Sequence, residues 1–407
     1  MNAIAPGRGA TLTRLSQHRR RPPLKVLLIA REPTGDLGRH FVDLATGLAD
    51  RGLEVHCLRS STPIAAEGDA ADRLAALPGV VLHELPIQPA IGLTDLGAYR
   101  ELRALVARHG PFDIAHGHGA KAGVLVRLPA EGLGARVYTP HGLLTMDRSL
   151  PQPKRRVYGL LEGALSRLST DAVILVAEEE RCEALRLGLA PELCHVVPHG
   201  LAMPDFIERW RARAELGLSP DADVALFAGR FVEAKGPERF LRLIGQLAQD
   251  RPRLQAAMIG TGDTAELRRQ AGELGIAERL KILQSDAAAG YMKAADLLVL
   301  PSRHEGLSYT MIEGIAAGLP ILSFDVAGTS MAIVQGESGY VVPQGNEFQL
   351  AMSAGAMIDS PPLRASMAAA ARARFALFDF DAMIDRTIGV YERVRAPVSF
   401  ATCGLAA

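Results

Sequence analysis

Apolar residues along this chain form short continuous runs that alternate with longer stretches of helical period. Runs that are apolar on both faces are typical of strands in a parallel sheet that helices cover on both sides. Between the runs, Phe41, Leu44, Ala45 and Leu48 illustrate the helical spacing. The runs predict strands at 26–30, 53–58, 80–85, 113–118, 136–139, 172–177, 195–198, 224–229, 254–260, 280–284, 297–301, 321–325 and 340–343.

The strand pattern is interrupted once, between Val197 and Val224, by a polar segment that contains three prolines. We place a domain junction there, which divides the 407 residues into two units of ordinary domain size. The fold class predicted is α/β, with two Rossmann-like parallel-sheet domains that face each other across a cleft. The predicted parts are a disordered basic lead (1–22), a first domain (23–200), a second domain (201–378), and a helix that packs back across the junction followed by a tail (379–407).

Composition narrows the function classes. Lys plus Arg and Asp plus Glu both number 45, which argues against a general nucleic-acid binder because such proteins carry a strongly basic face. The four cysteines form no C-x-x-C pair, so a reduced, cytoplasmic compartment is expected. The arginines near the N-terminus precede no apolar segment, and we expect a solvated tail there rather than a signal peptide.

The strongest local signal is the strand, loop, helix and strand of residues 297–322. Glu305 lies in the loop, and Glu313 follows about two turns along a helix that Gly318 and Pro320 should end. The start of that helix offers free backbone N–H groups, including those of Leu307 and Ser308, to an anion. Two carboxylates beside an anion site are useful when they accept hydrogen bonds from sugar or ribose hydroxyls.

A second signal is the loop of residues 225–236, where Arg230 and Lys235 lie between a strand and a helix. Two fixed cations at this position suit the stabilisation of a departing diphosphate. Taken alone, the same pair is equally typical of two surface cations. The loop lacks the Gly-Lys-Ser/Thr of a Walker A motif.

A third signal is a set of histidines at predicted strand ends, His116, His118 and His141. His-x-His can ligate zinc, but a third ligand at useful spacing is missing from the sequence, so we expect no metal and no cofactor. Three histidines at one sheet edge favour a binding site over a purely structural role.

These segments together resemble glycosyltransferase family 4, a family of retaining enzymes with the GT-B fold, over roughly residues 25–395. The E-x7-E signature matches as Glu305 and Glu313, and G-R-x4-K-G matches with Arg230 and Lys235. The segments H-x-H-x3-K-A-G and Y-T-P-H-G look like those of bacterial polysaccharide and exopolysaccharide members.

The resemblance implies a role for each matching residue. Glu305 would hold the hydroxyls of the donor sugar, and Glu313 the ribose. Arg230 and Lys235 would bind the diphosphate, and His141 would lie near the anomeric carbon. The remaining expected site residues are Gly35, Gly306, Leu307 and Ser308 on the donor side and Asp36, His116 and His118 on the acceptor side.

The reaction implied is transfer with retention from a UDP- or GDP-sugar, in which the leaving phosphate takes the acceptor proton. The acceptor implied is a saccharide or a polyprenyl-linked saccharide of cell-surface polysaccharide synthesis. In the first loop, T-G-D-L-G departs from the Gly-Gly of many members, because Asp36 occupies the second glycine position. That departure puts the acceptor type in question.

Alternatives from other classes are a GT-B-fold sugar-nucleotide epimerase or hydrolase and a non-catalytic nucleotide-sugar-binding protein. A metal-dependent GT-A enzyme is rejected, because neither Asp-x-Asp, at 221–223 or 379–381, ends a strand. The helix that follows Lys154, Arg155 and Arg156 suits peripheral contact with the inner face of the cytoplasmic membrane, although we expect its apolar stripe to pack within the first domain.

Overall fold

The computed structural model describes residues 22–61, 69–88, 94–147, 150–303 and 305–395. The predicted basic lead, up to residue 21, and the tail from residue 396 lie outside the described residues. The described chain contains two parallel sheets in succession. The first sheet comprises β1 (Lys25–Ala30), β2 (Glu54–Ser60), β3 (Val80–Leu85), β4 (Ile114–His118), β5 (Ala135–Thr139), β6 (Ala172–Leu175) and β7 (Cys194–Val196).

The second sheet follows after the predicted junction. It comprises β8 (Asp223–Ala228), β9 (Leu254–Gly260), β10 (Leu280–Gln284), β11 (Leu297–Leu300), β12 (Ile321–Phe324) and β13 (Gly339–Val342). Each predicted strand is present within two residues of its predicted limits, because a strand covered on both faces has an unbroken apolar run. The predicted fold class, α/β with two Rossmann-like parallel-sheet domains, is confirmed.

Helices connect the strands and cover both sheets. The α-helices are α1 (Gly35–Asp50), α2 (Asp69–Ala76), α3 (Thr94–His109), α4 (Gly119–Arg127), α5 (Gln152–Ser169), α6 (Glu178–Arg186), α7 (Arg209–Leu216), α8 (Pro237–Leu247), α9 (Ala265–Glu273), α10 (Tyr309–Ala317), α11 (Thr329–Ala332), α12 (Glu347–Asp359), α13 (Pro361–Arg374) and α14 (Phe380–Val394). Short 3-10 helices occupy Pro191–Leu193, Glu233–Lys235, Ala277–Arg279, Ala288–Ala294 and Phe375–Phe378.

Strand order determines where each sheet can bind a ligand. The first sheet runs β3-β2-β1-β4-β5-β6-β7 and the second β10-β9-β8-β11-β12-β13. In each, the order reverses between two neighbouring strands, β1 and β4 in the first sheet and β8 and β11 in the second. A crevice opens at the carboxyl ends of the strands at such a reversal, and ligands of open α/β sheets bind there.

Each sheet buries apolar side chains on both faces. On one face of the first sheet, Val26 and Leu28 pack with Phe41 of α1 and Ile384 of α14. On the other, Leu27 and Ile29 pack with residues of α3 and α4. Alternate residues of β1 thus belong to different cores, as the two-residue period of a strand requires. The second sheet is covered in the same way.

The chain passes between the two sheets twice. After β7 it runs towards α7 and the second sheet, and after α13 it returns so that α14 packs on α1, β5 and β6. The two crossing segments lie side by side, where the Leu201 N–H donates to the Phe378 carbonyl at 2.8 Å. The boundaries 23–200, 201–378 and 379–407 remain predictions.

Helix α5 does not bury the apolar residues that the sequence suggested. Its buried positions are the small or polar Gly159, Glu162, Gly163 and Ser166. Val157 and Leu160 are exposed, at 62% and 76%. The expectation that its apolar stripe packs within the first domain is therefore wrong for these two residues, because small side chains are what fit the close contact with the rest of the domain.

We searched the described helices for a membrane-spanning segment and found none that is both long and apolar enough.

Candidate functional site

The two strand-order reversals face each other, and most of the predicted site residues lie between them. From the first domain, α1 begins just after β1, and His118 ends the neighbouring β4. From the second, Arg230 follows β8, and Glu305 follows the neighbouring β11. We call the space that these elements enclose the inter-domain crevice.

The first pair of charges in the crevice is Lys235 and Glu305. Lys235 Nζ lies 2.5 Å from Glu305 Oε1, and Ser302 Oγ donates to the same oxygen at 2.8 Å. The two loops are closely packed: a Cβ at Gly236 would lie 2.3 Å from the Pro301 carbonyl oxygen, and Gly236 has φ +69°. Glycine is required at this position on both counts. The ion pair therefore rests on two loops that fit together only without a side chain at residue 236.

The second pair, Arg39 and Glu313, joins the two domains. Arg39 Nη1 donates to Glu313 Oε1, and its guanidinium lies 4.4 Å from the centroid of the Tyr309 ring. Tyr309 also donates from its hydroxyl to Asp43 at 3.4 Å. One face of α1 is thus in contact with α10 through charge, hydrogen bonding and a cation–π contact.

Asp36, in the first turn of α1, also faces this cluster. Its carboxylate lies 4.0 Å from Lys235 Nζ, so the residue in the second glycine position points across the crevice at the predicted diphosphate-binding lysine. Asp36 shares that lysine with Glu305. An anion that binds Lys235 must compete with both carboxylates.

Burial controls ionisation in the crevice. It raises the pKa of Glu305 and of Glu313, while the contacts with Lys235 and Arg39 act in the opposite direction. Burial alone would lower the pKa of Lys235, but the nearby Glu305 and Asp36 carboxylates raise it. Lys235 is therefore held as a cation in a site of low polarity, where charge interactions are stronger than in water.

A cluster of histidines forms the first-domain wall of the crevice. His118 Nδ1 lies 3.0 Å from His141 Nε2, and His141 Nδ1 lies 3.2 Å from His199 Nε2. His40 packs against His118 and His199, the two ends of this row of rings. His199 also stacks on Tyr309, with ring centroids 5.0 Å apart. Burial lowers the pKa of each of these histidines, that of His199 to about 4, so the rings are neutral near pH 7.

His141 also has an unusual backbone. Among the described residues it is the only one other than glycine with a positive φ, 53°. Such a conformation costs energy for a residue with a side chain and is enriched at functional sites. In this conformation the imidazole of His141 lies between His118 and His199 and contacts both.

His116 does not take the acceptor-side place predicted for it. Its Nδ1 lies 2.6 Å from the Tyr391 hydroxyl and its Nε2 lies 2.8 Å from Thr139 Oγ1, so both nitrogens are engaged within the protein. The residue is 1% exposed. It lies two positions before His118 in β4, and its contacts anchor α14 rather than line the crevice.

The other predicted residues lie around the crevice. A Cβ on Gly35 would be 3.8 Å from Arg230 Nη2, and one on Gly306 would be 3.8 Å from the His141 carbonyl oxygen. Leu307 and Ser308 precede α10, and Ser308 Oγ is buried without a hydrogen-bond partner among the described residues. Three ring nitrogens are likewise buried without a hydrogen-bond partner among the described residues: His118 Nε2, His40 Nδ1 and His199 Nδ1.

Sequence reasoning missed Arg39, His40, Asp43 and the side chain of Tyr309. Helical spacing from Asp36 would have placed Arg39 and His40 on the same side of α1, since residues three and four apart are neighbours. What the sequence did not reveal is that this side faces the second domain.

The fold adds a third histidine to the pair from which the sequence predicted no metal site. A third histidine near His118 and His141 is supplied by α1: ligand atoms of His40, His118 and His141 lie within 4.8 Å of one another. Sequence spacing could not reveal it, because His40 is far from the other two along the chain.

Comparisons with known proteins place the chain among enzymes that transfer sugars. Residues 37–202 match the family described as Glycosyltransferase Family 4, and residues 208–374 match Glycosyl transferases group 1. A D-inositol 3-phosphate glycosyltransferase of Streptomyces scabiei is 30% identical, with 93% of this chain and 92% of the relative covered. One of the same name from Jonesia denitrificans is 29% identical, with 92% and 95% covered.

Solved structures share the fold. The sucrose-phosphate synthase of Thermosynechococcus elongatus superposes with a TM-score of 0.75 at 22% identity, covering 91% of this chain and 98% of that one. The Anabaena protein HepE in complex with UDP-glucose has a TM-score of 0.75 at 20% identity, covering 91% and 100%.

The neutral histidines predict how stability changes with pH. An ordinary histidine has a pKa of 6.5, whereas burial lowers the pKa of His199 to about 4. The unfolded chain therefore takes up a proton first as the pH falls, and this group reduces stability between pH 6.5 and about 4. At about pH 7.5 we expect the free energy of unfolding of His199→Gln to be lower than that of the wild type. The difference between these two free energies should narrow by on the order of 3 kcal/mol as the pH falls to about 4.

Urea unfolding of both proteins across this range measures the effect. Between about pH 7 and 8, where neither state of His199 titrates, the difference should stay constant and serves as the internal control. If the difference in unfolding free energy between the two proteins stays constant or widens as the pH falls, His199 is not held neutral in the folded protein.

Proposed function

We propose, on the premise that this chain belongs to the family 4 glycosyltransferases, that it transfers a sugar with retention from a nucleoside-diphosphate sugar bound in the inter-domain crevice. The chain is a glycosyltransferase of the GT-B fold. The observation that carries the proposal is the meeting of Lys235, Glu305, Arg39 and Glu313 at the two strand-order reversals.

The donor would exchange partners with the charges that now pair with one another. Its diphosphate would take Lys235 and Arg230, assisted by the backbone N–H groups of Leu307 and Ser308 at the start of α10. Glu305 would then accept hydrogen bonds from the sugar hydroxyls, and Glu313 from the ribose. This exchange is supported by the position of both carboxylates, which are buried and already act as hydrogen-bond acceptors.

In the proposed reaction the bond between the anomeric carbon and the diphosphate oxygen breaks, and the acceptor oxygen bonds to the same face of the sugar. The acceptor proton passes to the departing phosphate oxygen, so no protein nucleophile is needed. The chain's contribution is to stabilise the developing phosphate charge with Lys235 and Arg230 and to position both reactants. Neutral His141 suits a hydrogen-bonding role near the anomeric carbon.

We extend the proposal to a UDP- or GDP-sugar as donor and to catalysis without a metal. The HepE structures were solved with UDP and with UDP-glucose, which supports a nucleotide sugar at this fold. The two crevice cations, Arg230 and Lys235, supply the positive charge that a metal would otherwise bring to the diphosphate.

For the acceptor we propose a saccharide or polyprenyl-linked saccharide of cell-surface polysaccharide synthesis, met at the inner face of the cytoplasmic membrane. Helix α5 supports it: exposed Val157 and Leu160 lie beside Lys154, Arg155 and Arg156, and apolar residues with adjacent cations suit an anionic membrane surface. A phosphorylated polyol is the second candidate, because the relatives are named for D-inositol 3-phosphate.

Removing either member of the first ion pair should stop transfer. We expect Lys235→Ala and Glu305→Gln each to lower kcat by at least about 100-fold, since one preorganised charge contact to a transition state is commonly worth that much. The measurement is nucleoside diphosphate release and glycoside formation, after a thermal-shift screen of UDP- and GDP-sugars identifies the donor.

Matched controls are Lys281→Ala on β10 and Glu273→Gln on α9, which lie outside the crevice and should retain normal turnover. Omission of acceptor separates the alternative functions: an epimerase converts the donor without it, and a non-catalytic binding protein releases no diphosphate. Near-normal turnover of either crevice variant would remove that residue from the mechanism.

Chelation tests the proposal that the crevice needs no metal. We expect initial transfer rates after EDTA treatment and desalting to match those of untreated enzyme, because Arg230 and Lys235 neutralise the diphosphate. Activity lost with EDTA and restored by Mn²⁺, Mg²⁺ or Zn²⁺ would overturn this, and the histidines His40, His118 and His141 would then be the first ligands to replace.

Vesicle binding and an acceptor panel distinguish the two acceptors. If the acceptor is membrane-bound, we expect the protein to sediment with anionic vesicles. Changing Lys154, Arg155 and Arg156 together to Ala should lower the affinity for these vesicles by at least about 100-fold, since each cation contributes about 1 kcal/mol. Arg268→Ala on α9 is the control. Transfer to D-inositol 3-phosphate without any vesicle binding would favour the phosphorylated polyol.

A further inference from the structure

A second group of histidines lies outside the crevice, at the β3 edge of the first sheet. His56 is on β2, His83 is on the edge strand β3, and His109 ends α3. In the sheet register His56 pairs with Val81, so His56 and His83 project from the same face, towards α3. Three elements that are distant in sequence thus bring three imidazoles together.

The three rings are close enough to share one ion. A ligand nitrogen from each lies within 4.8 Å of the other two, and His56 Nδ1 is 2.8 Å from His83 Nε2. Zinc bound tetrahedrally at about 2.0–2.1 Å separates its nitrogen ligands by about 3.3 Å. His83 and His109 are only partly buried, so both rings have room to adjust towards that spacing.

Glu54 prepares His56 for this role. Its carboxylate lies 3.1 Å from His56 Nε2, and Lys25 holds the same carboxylate at 2.7 Å. With Nε2–H donating to Glu54, the lone pair of Nδ1 points at the cluster. Metal-bound histidines commonly have their second nitrogen fixed by a carboxylate in this way. The Phe112 ring packs edge-on against His56 and limits its rotation.

The hydrogen bond between His56 and His83 fixes the tautomer of both rings in the metal-free protein. Because His56 Nδ1 accepts, His83 must donate from Nε2 in the metal-free protein. Binding then needs His83 to adopt its other neutral tautomer, a shift of one proton between its two nitrogens with no change in charge.

Solvent reaches the cluster through a surface cleft of about 260 Å³, whose lining includes His83, His109, Glu84, Glu101 and Arg108. Two carboxylates at the mouth attract a dication, while Arg108 opposes it and Arg59 pairs with Glu84. The cleft gives an ion a path in and leaves a fourth coordination position to water. Three imidazoles and one open position suit Zn²⁺ and its neighbours among the transition metals.

We propose that His56, His83 and His109 form a binding site for a divalent transition metal of the zinc class, with Glu54 as the residue that orients His56. The ion clamps the edge strand β3 and neighbouring β2 to the end of α3. This site is independent of the proposed transfer reaction, because its residues come from β2, β3 and α3, and none of these elements supplies a side chain named in the crevice.

Titration of the metal-free full-length protein with Zn²⁺, in competition with a colorimetric chelator, tests the proposal. We expect stoichiometric binding at micromolar protein and a rise in the melting temperature. His83→Gln and His109→Gln should each abolish stoichiometric binding, and Glu54→Gln should weaken it about 10- to 100-fold. His195→Gln, a partly buried histidine on β7 outside both clusters, should bind as the wild type does.

Co²⁺ in place of Zn²⁺ adds a spectroscopic signature of tetrahedral nitrogen coordination that the two ligand variants should lose. If His83→Gln fails to fold, His109→Gln decides the matter, since His109 ends a helix and is only partly buried. Absence of stoichiometric binding in the wild type would overturn the proposal. Binding that survives both ligand substitutions would overturn it as well, and would point to the crevice histidines.

Discussion

A charge removed from water needs a partner, and the inter-domain crevice is arranged around that requirement. Lys235 and Glu305 come from two loops of the second domain, and Arg39 and Glu313 from different domains. Leaving one member of a buried pair alone is strongly destabilising. The α1 face, the Gly236 turn and the start of α10 must therefore stay together, and their positions define the crevice.

The same requirement explains how the crevice can accept a charged ligand. A diphosphate brings its own negative charge, and sugar and ribose bring hydroxyls, so each charged side chain can exchange one partner for another. The neutral histidines on the first-domain wall add hydrogen-bonding groups without adding charge. Asp36 differs from these groups because it places one more carboxylate 4.0 Å from Lys235. An anion that binds Lys235 must therefore compete with two carboxylates.

Much of this arrangement was accessible from sequence, for identifiable reasons. Doubly covered strands leave unbroken apolar runs, and Gly318 ends α10 with φ 72° as predicted. Arg39 and His40 were missed because only domain packing decides which side of α1 faces the crevice. His116 was misplaced because strand alternation does not reveal Tyr391 of a distant helix as its partner. The histidines on β2, β3 and α3 meet only through tertiary structure.

The paired crossing segments near Leu201 and Phe378 have a mechanical consequence. A single connection would leave the domains free to twist about it, whereas two adjacent, hydrogen-bonded connections together define one hinge axis. Rotation about the line through both segments bends each a little, while rotation across that line must stretch one and compress the other. The two connections therefore favour opening and closing of the crevice and resist twisting of one sheet relative to the other.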